Sequence, residues 1–502
     1  MTDKVEMKHT IRLHPLGKEL TVNDQTPLID LLHEYGVEFP CGGKGTCGKC
    51  QVRLLEGEIG VTDLHRQKLA HFKLPADRRL ACMSNCTGPI TLHIEQFDHL
   101  ILADETEFEF IPQEGFGVAV DLGTTTIVTQ LVDLKTAQIL AVETIVNPQV
   151  KFGADLISRI QAGLDGHSKE MTGIIRSAIG HMIGMMLQGR NLPLDKVVLV
   201  GNTVMQRSFS DLDLRPLSCY PFQVDDLGSK TFTAEELGWA FRVTGKIEFF
   251  PSIGSFVGSD ILAGIAATGL YRKDRYTALI DLGTNGEIAV GNKDHIICAS
   301  TAAGPAFEGA NLSMGMRAVT GAISSLRLEG SKIVATTIGN TRPKGICGSA
   351  LIDAVAVLLK LDLIGMFGEI GTGEDRIQVH DNIWLTQKDL YEFLLAKSAI
   401  AAGIEILTKQ LGISPADLDE IYIAGGFGNY IHIEHLLSTG MIESKEEKIH
   451  KMGNTALIGA KMFLFDNQGI VSEILGKTQH VNLEGFPEFQ DTYISKMNLI
   501  GA

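Results

Sequence analysis

The sequence predicts a multidomain protein in which a small α+β module precedes two related α/β lobes. The first observation is a glycine-rich loop with three cysteines, CGGKGTCGKC, at residues 41–50. The second is an apolar strand ending in DLGT, which occurs at 117–134 (GVAVDLGTTTIVTQLVDL) and again at 277–291 (TALIDLGTNGEIAVG). The third pairs VVLVGNTVM (197–205) with IYIAGGFGNY (421–430). The repeated text indicates an internal duplication of one α/β unit.

The N-terminal module has the pattern of a sheet that carries one helix. Alternation of apolar and polar residues predicts the strands, and proline at the first helical position after Thr26 favours a helix start there. The predicted strands lie at 9–14, 19–22, 50–55, 79–82 and 90–95. Two strands, a helix and further strands in this order predict a β-grasp.

Four cysteines of this module have the spacing of an iron–sulfur site: Cys41, Cys47 and Cys50 in a C-x5-C-x2-C pattern, and Cys82 in RRLAC. Each iron takes four sulfurs in tetrahedral geometry. A structural zinc site also takes four thiolates, but zinc sites usually pair two short C-x2–4-C elements, and here the second half is one cysteine. We therefore predict a [2Fe–2S] cluster, with Cys86 as the alternative fourth ligand.

This pattern resembles the vertebrate- and bacterial-type ferredoxins over about residues 8–98. The resemblance implies that Cys82 is the fourth ligand, because that family places its last ligand in RLAC.

Composition favours a protein of the reducing cytoplasm. The chain of 502 residues has 44 basic and 60 acidic residues, a net charge of −16, which disfavours nucleic acid as a partner. Five of its eight cysteines lie between positions 41 and 86, unlike a disulfide framework. We see neither a signal peptide nor an apolar run long enough to span a membrane. We therefore expect a cytoplasmic protein without a membrane partner.

The change of character after a mixed, acidic stretch predicts the domain boundaries. We predict a ferredoxin-type domain at 1–98, a linker at 99–115, a first lobe at 116–275 and a second lobe at 276–502.

In each lobe, a glycine turn exposes backbone N–H groups to an anion, and threonine hydroxyls add donors. Asp121 and Asp281 end the two strands and provide hard oxygens for Mg²⁺. Two facing hairpins of this kind would hold a polyphosphate.

The paired DLGT segments and GGFG at 425–428 resemble the superfamily of acetate kinases, sugar kinases, heat-shock chaperones and actin. The resemblance covers roughly 116–470 and implies two ribonuclease-H-like lobes, an actin-like ATPase that binds ATP and Mg²⁺. It implies catalytic roles for Asp121, Asp281 and Glu287, with Glu287 orienting the attacking water. The nucleotide-binding residues it implies are Gly123, Thr124, Thr125, Thr126, Asn202, Gly283, Thr284, Asn285, Glu308, Gly425, Gly426, Phe427 and Gly428.

The complete order of modules resembles one family, the reductive activators of corrinoid proteins. The resemblance implies ATP-driven reduction of a corrinoid protein from Co(II) to Co(I), with the [2Fe–2S] cluster as electron donor, in a methyltransferase, O-demethylase or acetogenic pathway. The partner would be the corrinoid protein, and the upstream electron donor is not named by the sequence. A homodimer is compatible with the ATPase lobes.

Two other functions fit parts of the pattern. One is an ATP-dependent activator of another low-potential enzyme, such as a radical-based dehydratase, but those activators use a [4Fe–4S] cluster and lack a ferredoxin domain. The other is a redox-regulated small-molecule kinase, although the chain has no sugar- or acetate-binding signature. His432 and His435 lie three residues apart, and without a third ligand in the sequence we expect them to be surface residues.

Overall fold

The fold is taken from a computed structural model. It describes residues 7–14, 18–32, 37, 45, 48, 50–72, 74–93, 108–188, 190, 192, 194–283, 285–309, 312–316, 321–330, 332–338, 342–371, 373–425, 431–465 and 468–499. The chain divides into two compact units. The first comprises Met1–Asp98, Thr124–Thr126 and Ile145–Ala178, and the second comprises His99–Gly123, Ile127–Thr144 and Ile179–Ala502.

The N-terminal module is a five-stranded mixed sheet with order β2-β1-β7-β4-β5, and β3 and β6 form a separate pair. Strand β1 pairs antiparallel with β2 and parallel with β7. Apolar side chains from the sheet and helix, including Ile11, Val52, Leu92, Leu28 and Leu32, form its core. Its elements are β1 (Lys8–His14), β2 (Lys18–Asn23), β3 (Thr26–Pro27), α1 (Ile29–Leu32), β4 (Gln51–Glu56), α2 (Asp63–His71), β5 (Arg78–Leu80), β6 (Asn85–Cys86) and β7 (Ile90–His93).

This order confirms the predicted β-grasp. One detail of the prediction was wrong: the strand expected at 79–82 ends at Leu80. Cys82 instead lies in a 3₁₀ turn, Ala81–Met83. The turn takes Cys82 out of the hydrogen-bonded sheet.

The first lobe is built on a six-stranded sheet with order β10-β9-β8-β11-β13-β12. Its strands are β8 (Phe116–Leu122), β9 (Thr126–Asp133), β10 (Ile139–Val146), β11 (Leu194–Val200), β12 (Lys230–Phe232) and β13 (Ile247–Phe249). Its helices are α3 (Leu156–Ala162), α4 (Ser168–Leu187), α5 (Thr203–Phe209) and α6 (Ser259–Thr268). The central strands are continuously apolar because they are buried on both faces.

The second lobe has a six-stranded sheet with order β23-β22-β14-β15-β16-β24, beside a three-stranded sheet, β18-β17-β19, and the pair β20-β21. Its strands are β14 (Thr277–Leu282), β15 (Gly286–Gly291), β16 (Ile296–Thr301), β17 (Ala322–Glu329), β18 (Lys332–Thr337), β19 (Gly345–Ile346), β20 (Arg376–His380), β21 (Ile383–Thr386), β22 (Glu420–Ala424), β23 (Ile449–Gly453) and β24 (Thr478–His480). Its helices are α7 (Gly348–Lys360), α8 (Gln387–Gln410), α9 (Ile433–Ser438), α10 (Thr455–Phe463), α11 (Gln468–Lys477) and α12 (Phe489–Ser495).

The two large sheets repeat one topology. In the first, β8 pairs antiparallel with β9 and parallel with β11, which pairs parallel with β13. In the second, β14 pairs antiparallel with β15 and parallel with β22, which pairs parallel with β23. A helix follows the last of these strands in each lobe, α6 after β13 and α10 after β23. The duplication predicted from DLGT is therefore confirmed at the level of strand order.

Helices α6 and α10 pack tightly where their backbones cross. A methyl group on Gly459 of α10 would overlap the carbonyl oxygen of Ala263 in α6. Counted from the first helical residues, Ser259 and Thr455, these two positions are equivalent. The helices therefore cross close to a pseudo-twofold axis that relates the two copies.

Candidate functional site

Two aspartates occupy equivalent positions at the ends of the two duplicated strands. Asp121 of β8 lies opposite Val128 on β9 and beside Val200 on β11. Asp281 of β14 lies opposite Glu287 on β15 and beside Ala424 on β22. The first copy therefore has one carboxylate at this point of its hairpin, and the second copy has two.

In each copy a glycine follows the strand that runs parallel to the aspartate strand: Gly201 after β11 and Gly425 after β22. Each position requires glycine because its backbone closely approaches the aspartate strand. A methyl group on Gly201 would lie 2.6 Å from the carbonyl oxygen of Leu122. One on Gly425, whose φ is +97°, would lie 2.5 Å from the carbonyl oxygen of Leu282 and 2.8 Å from Oδ1 of Asp281. The absence of a Cβ therefore lets each glycine backbone lie directly against its aspartate strand.

The first turns of α6 and α10 add polar groups to these carboxylates. Asp260, the second residue of α6, faces Asp281 and Asp121 closely enough that their negative charges raise its pKa. Asn454 caps α10 by accepting from the backbone N–H of Leu457, and its Nδ2 donates to Oδ2 of Asp121 at 2.7 Å. Asp121, Asp260, Asp281 and Glu287 are called the carboxylate cluster below.

Burial and mutual repulsion favour the protonated forms in the carboxylate cluster. Loss of hydration raises the pKa of Asp121 to about 6, although the hydrogen bond from Asn454 opposes the shift. Burial, and then the charges of Asp281 and Asp121, raise the pKa of Asp260 to about 8. Burial and the charges of Asp260 and Asp281 hold the pKa of Glu287 well above its usual range, and Asn285 opposes this by a side-chain hydrogen bond.

The carboxylate cluster has the chemistry of a divalent-cation site. The negative charges of neighbouring carboxylates raise the pKa values of Asp260 and Glu287, and a bound cation would relieve this repulsion. Hard carboxylate oxygens are the ligands that Mg²⁺ prefers. The residues therefore fit Mg²⁺.

Several predicted nucleotide residues directly follow the two aspartate strands in the sequence. Gly283 follows Asp281, and its N–H donates to the carbonyl oxygen of Asn285 at 3.2 Å. Gly123 follows β8, and in the first unit Thr124 is buried while the carbonyl oxygen of Thr125 accepts from the N–H of Asn147 at 2.8 Å. Their roles in binding phosphate stay predictions.

Asn202 has a clear structural role. It is 4 % exposed, and its Oδ1 caps α5 by accepting from the N–H of Met205 at 3.0 Å. Glu308 ends a 3₁₀ turn, Pro305–Glu308. Thr284, Gly426, Phe427 and Gly428 lie outside the described residues, as does the side chain of Glu308.

The predicted cluster site is described at two of its four cysteines. Sγ of Cys50 lies 3.3 Å from Sγ of Cys82. Two thiolates on one tetrahedral metal lie about 3.8 Å apart, given metal–sulfur bonds of about 2.3 Å, so this pair fits a shared iron after a small separation. Cys86 instead faces the core from β6, with its Sγ 3.3 Å from the carbonyl oxygen of Gly88. Cys41 and Cys47 lie outside the described residues.

Sequence reasoning missed Asp260 and Asn454. The signal for Asp260 was present, because the duplication extends through β13 and β23 into helices that start after Gly258 and Asn454. Aligning these starts would have placed GSD beside the two DLGT turns. Asn454 carried no such signal, because an asparagine before a helix is already explained by its preference for the N-cap position.

Family models match almost all of the chain. A 2Fe-2S iron-sulfur cluster binding domain matches residues 11–87. The RACo middle region matches 116–273, and the C-terminal domain of RACo, the ASKHA domain, matches 275–502.

Two curated relatives and one solved structure match over most of this chain. The corrinoid activation enzyme RamQ of Eubacterium limosum is 31 % identical and covers 95 % of this chain and 97 % of its own length. The [Co(II) methylated amine-specific corrinoid protein] reductase of Methanosarcina barkeri is 26 % identical over 76 % of this chain and 77 % of its own. The solved structure of a reductive activator for corrinoid, iron-sulfur protein matches with a TM-score of 0.71 and 26 % identity, over 98 % of both chains.

No helix within the described ranges is both long and apolar enough to cross a bilayer.

Proposed function

Because this chain belongs to the family of the corrinoid activation enzymes, we propose that it reduces a corrinoid protein from Co(II) to Co(I) at the expense of ATP. The observation that carries the proposal is the presence in one chain of a thiolate pair on a β-grasp and of the carboxylate cluster on a duplicated ATPase fold. An electron carrier alone needs no nucleotide site, and a kinase needs no ferredoxin module. The combination fits a reductase whose electron transfer requires ATP.

The cluster ligands in this proposal are Cys41, Cys47, Cys50 and Cys82. When bound, the [2Fe–2S] group supplies one electron at a time. Cys82 rather than Cys86 fits as the fourth ligand, because its sulfur approaches that of Cys50, while Cys86 is turned into the core. The 3₁₀ turn at Ala81–Met83 gives Cys82 this orientation.

On the ATPase side, Asp121, Asp260 and Asp281 would hold Mg²⁺, and the glycine turns that follow the two aspartates would bind phosphate oxygens through backbone N–H groups. Glu287 accepts a hydrogen bond from the attacking water and orients it. A bound cation favours the ionised form of each neighbouring carboxyl group. Binding of the cation would therefore make Glu287 a better acceptor for the hydrogen bond from water.

ATP is needed when the acceptor has a lower potential than the donor. Each 59 mV of uphill one-electron transfer costs about 1.4 kcal/mol. Nucleotide can offset this cost only by binding one conformation or complex more tightly than another. The first compact unit supports such coupling, since it groups the N-terminal module with Thr124–Thr126 of the predicted phosphate loop and with Ile145–Ala178. Within this unit, Lys151 lies 3.5 Å from Asp30 and 2.7 Å from Glu170.

Anaerobic reduction of a Co(II) corrinoid protein, followed by its optical spectrum, tests the proposal. With reductant and Mg²⁺, Co(I) should form with ATP and not with the non-hydrolysable analogue. Asp281→Asn should abolish the ATP-dependent part while leaving the cluster spectrum intact. Formation of Co(I) at the same rate without ATP would contradict the proposed coupling.

Replacement of the two nearby cysteines tests the cluster ligands. Cys82→Ser should lose the [2Fe–2S] absorption and EPR signals and all electron transfer, because serine is a poor ligand for iron. ATP binding should persist. Cys86→Ser is the matched control, four residues away and buried, and should keep the cluster. If Cys86→Ser loses the cluster and Cys82→Ser retains it, the assignment is wrong.

A further inference from the structure

A second group of metal-ligand side chains lies in the second lobe, formed by Asp353 of α7 with His432 and His435 at the start of α9. Oδ1 of Asp353 lies 3.0 Å from Nδ1 of His432 and 2.6 Å from Nδ1 of His435. The expectation that no third candidate ligand accompanies the two histidines was therefore wrong, although His432 is partly exposed. The third ligand is about 80 positions earlier in the sequence, so spacing alone did not indicate it.

Asp353 is held in one orientation by the protein around it. Its side chain is fully buried, and Oδ2 accepts a hydrogen bond from the backbone N–H of Leu326 in β17 at 2.9 Å. Nδ1 of His432 lies 3.0 Å from both carboxylate oxygens, whereas His435 approaches Oδ1. A backbone donor that fixes the carboxylate in this way is the kind of supporting contact that metal ligands have.

The two histidines leave one side of the group open. The side chain of His435 is 15 % exposed and that of His432 is 42 % exposed. His432 precedes the first residue of α9, and His435 lies in its first turn, so their rings project together, with centroids 5.1 Å apart. Solvent can therefore reach the group on the side of His432, while the buried Asp353 forms its inner side.

The donor set and spacing fit a transition-metal ion. All three ligand atoms lie within 4.8 Å of one another. Ligands on a tetrahedral zinc ion lie about 3.3 Å apart, given bonds of about 2.0–2.1 Å. The oxygen–nitrogen distances are slightly shorter, so an ion would need to separate these atoms by less than about 1 Å. Two imidazoles and one carboxylate suit Zn²⁺ or Fe²⁺ better than Mg²⁺, which prefers oxygen.

We propose that Asp353, His432 and His435 bind a divalent transition-metal ion, with Zn²⁺ as the probe, and that water completes its coordination on the open side. The alternative is a hydrogen-bonded group in which both imidazoles donate to Asp353 without any metal. Both arrangements satisfy the buried carboxylate. Only the metal site requires both histidines to be neutral at the ligating nitrogen.

The position of the site gives the ion a structural role. Helix α9 begins at Ile433, shortly after the predicted nucleotide-binding loop at 425–428. An ion bound by α7 and α9 would fix the chain soon after it leaves that loop. This consequence depends on the proposed nucleotide site, whereas metal binding itself does not.

Zinc titration of the cluster-loaded, full-length protein tests the site. After treatment with a mild chelator, wild type should bind one equivalent of Zn²⁺ by calorimetry. His432→Ala and His435→Ala should each weaken binding on the order of a hundredfold, since each removes one of three ligands. His450→Ala is the control, because His450 is exposed on β23 and lies outside the group. It should bind zinc as wild type does.

X-ray absorption at the zinc edge separates this site from adventitious binding at cysteines. The bound ion should show nitrogen and oxygen neighbours with the outer-shell pattern of imidazole, and no sulfur. Sulfur ligands, or equal zinc uptake by wild type and the double variant His432→Ala/His435→Ala, would overturn the proposal. So would failure of wild type to bind zinc, which would leave the hydrogen-bonded group as the correct description. ATP-dependent reduction is measured separately, so failure of either proposal is seen independently.

Discussion

The two copies of the duplicated unit share a backbone but differ in chemistry. Both end their first strand in an aspartate, and both place a glycine against the next residue of that strand. Yet Val128 stands in the first copy where Glu287 stands in the second. The second residue of the following helix is Asp260 in the first copy and Ala456 in the second. Features that the backbone requires are thus kept in both copies, while each of these two carboxylates occurs in only one.

The differences are complementary. Asp260 of the first copy acts on Asp281 and Glu287 of the second, and Asn454 of the second copy donates to Asp121 of the first. The crossing of α6 and α10 brings these groups together, because it presents the start of each helix to the other copy. Neither copy alone contains the carboxylate cluster. The two copies therefore form one site together, and each contributes different residues to it.

The largest effect is expected at the residue that pairs with the strand-end aspartate, which is Glu287 opposite Asp281 in the second copy. We expect Glu287→Gln to lower kcat for ATP hydrolysis by about 10²–10⁴-fold, because the amide keeps the size of the side chain but is a poor acceptor for a proton. ATP binding should persist, since the aspartates and glycine turns remain. Steady-state hydrolysis and nucleotide titration measure the two effects separately.

The matched change in the first copy is Val128→Ala. It should lower stability by about 1–3 kcal/mol through loss of buried methyl groups, while kcat falls little. Similar losses of hydrolysis in both variants would contradict the idea that only the second copy supplies the acceptor.

The next test concerns the helix crossing. We expect Gly459→Ala to destabilise the ATPase lobes by roughly 1–3 kcal/mol, because the new methyl group meets a backbone oxygen that cannot move aside. In Gly264→Ala, the methyl group would meet side chains, Cδ2 of Leu279 at 2.7 Å and Oγ1 of Thr455 at 3.0 Å. These can shift, and alanine favours a helix, so the loss should be smaller.

Thermal unfolding measures the stability of Gly459→Ala and Gly264→Ala. The transition to compare is the one whose Tm shifts when Mg²⁺ and ATP are added, because it belongs to the ATPase lobes. That choice matters because several domains do not unfold as one two-state unit. An equal or larger loss for Gly264→Ala would mean that the helices cross elsewhere than at Gly459.

The sequence was sufficient for features that repeat or that have fixed spacing. DLGT, its flanking strands and the C-x5-C-x2-C loop predicted the β-grasp, the duplicated lobes and the family. The same text led to Asp121, Asp281 and Glu287, and the fold has the two aspartates at the ends of their strands, as expected. Such signals are local because a hairpin brings together residues that are close in the chain.

What the sequence did not predict depends on contacts between distant segments. Asn454 and Asp121 are 333 positions apart, and Asp353 and His432 are 79 apart. No pattern of apolar residues specifies which helix start will face which strand end, because packing of complete lobes decides it. The position of Cys82 in a turn rather than a strand was missed for a different reason, since a short apolar run fits both.

The smallest expected effect is the pH dependence of the nucleotide-free protein. With a pKa of about 8 in the native state and an ordinary value near 3.8 when unfolded, Asp260 keeps a proton in the native state that the unfolded chain has lost. Stability therefore falls as pH rises between these two values. We expect Asp260→Asn to remove part of this fall, raising Tm at pH 8 by on the order of 5 °C, with little change at pH 4.

Addition of Mg²⁺ at pH 8 should reverse the order of the Tm values, so that wild type becomes more stable than Asp260→Asn. Wild type gains stability as the cation replaces protons in the carboxylate cluster, while Asp260→Asn gains less because one ligand charge is gone. Asp211→Asn, an exposed carboxylate, controls for the change in net charge and should follow wild type throughout. If Asp260→Asn responds to pH and to Mg²⁺ as wild type does, Asp260 does not belong to the shared site. The two half-sites would then meet only through Asn454.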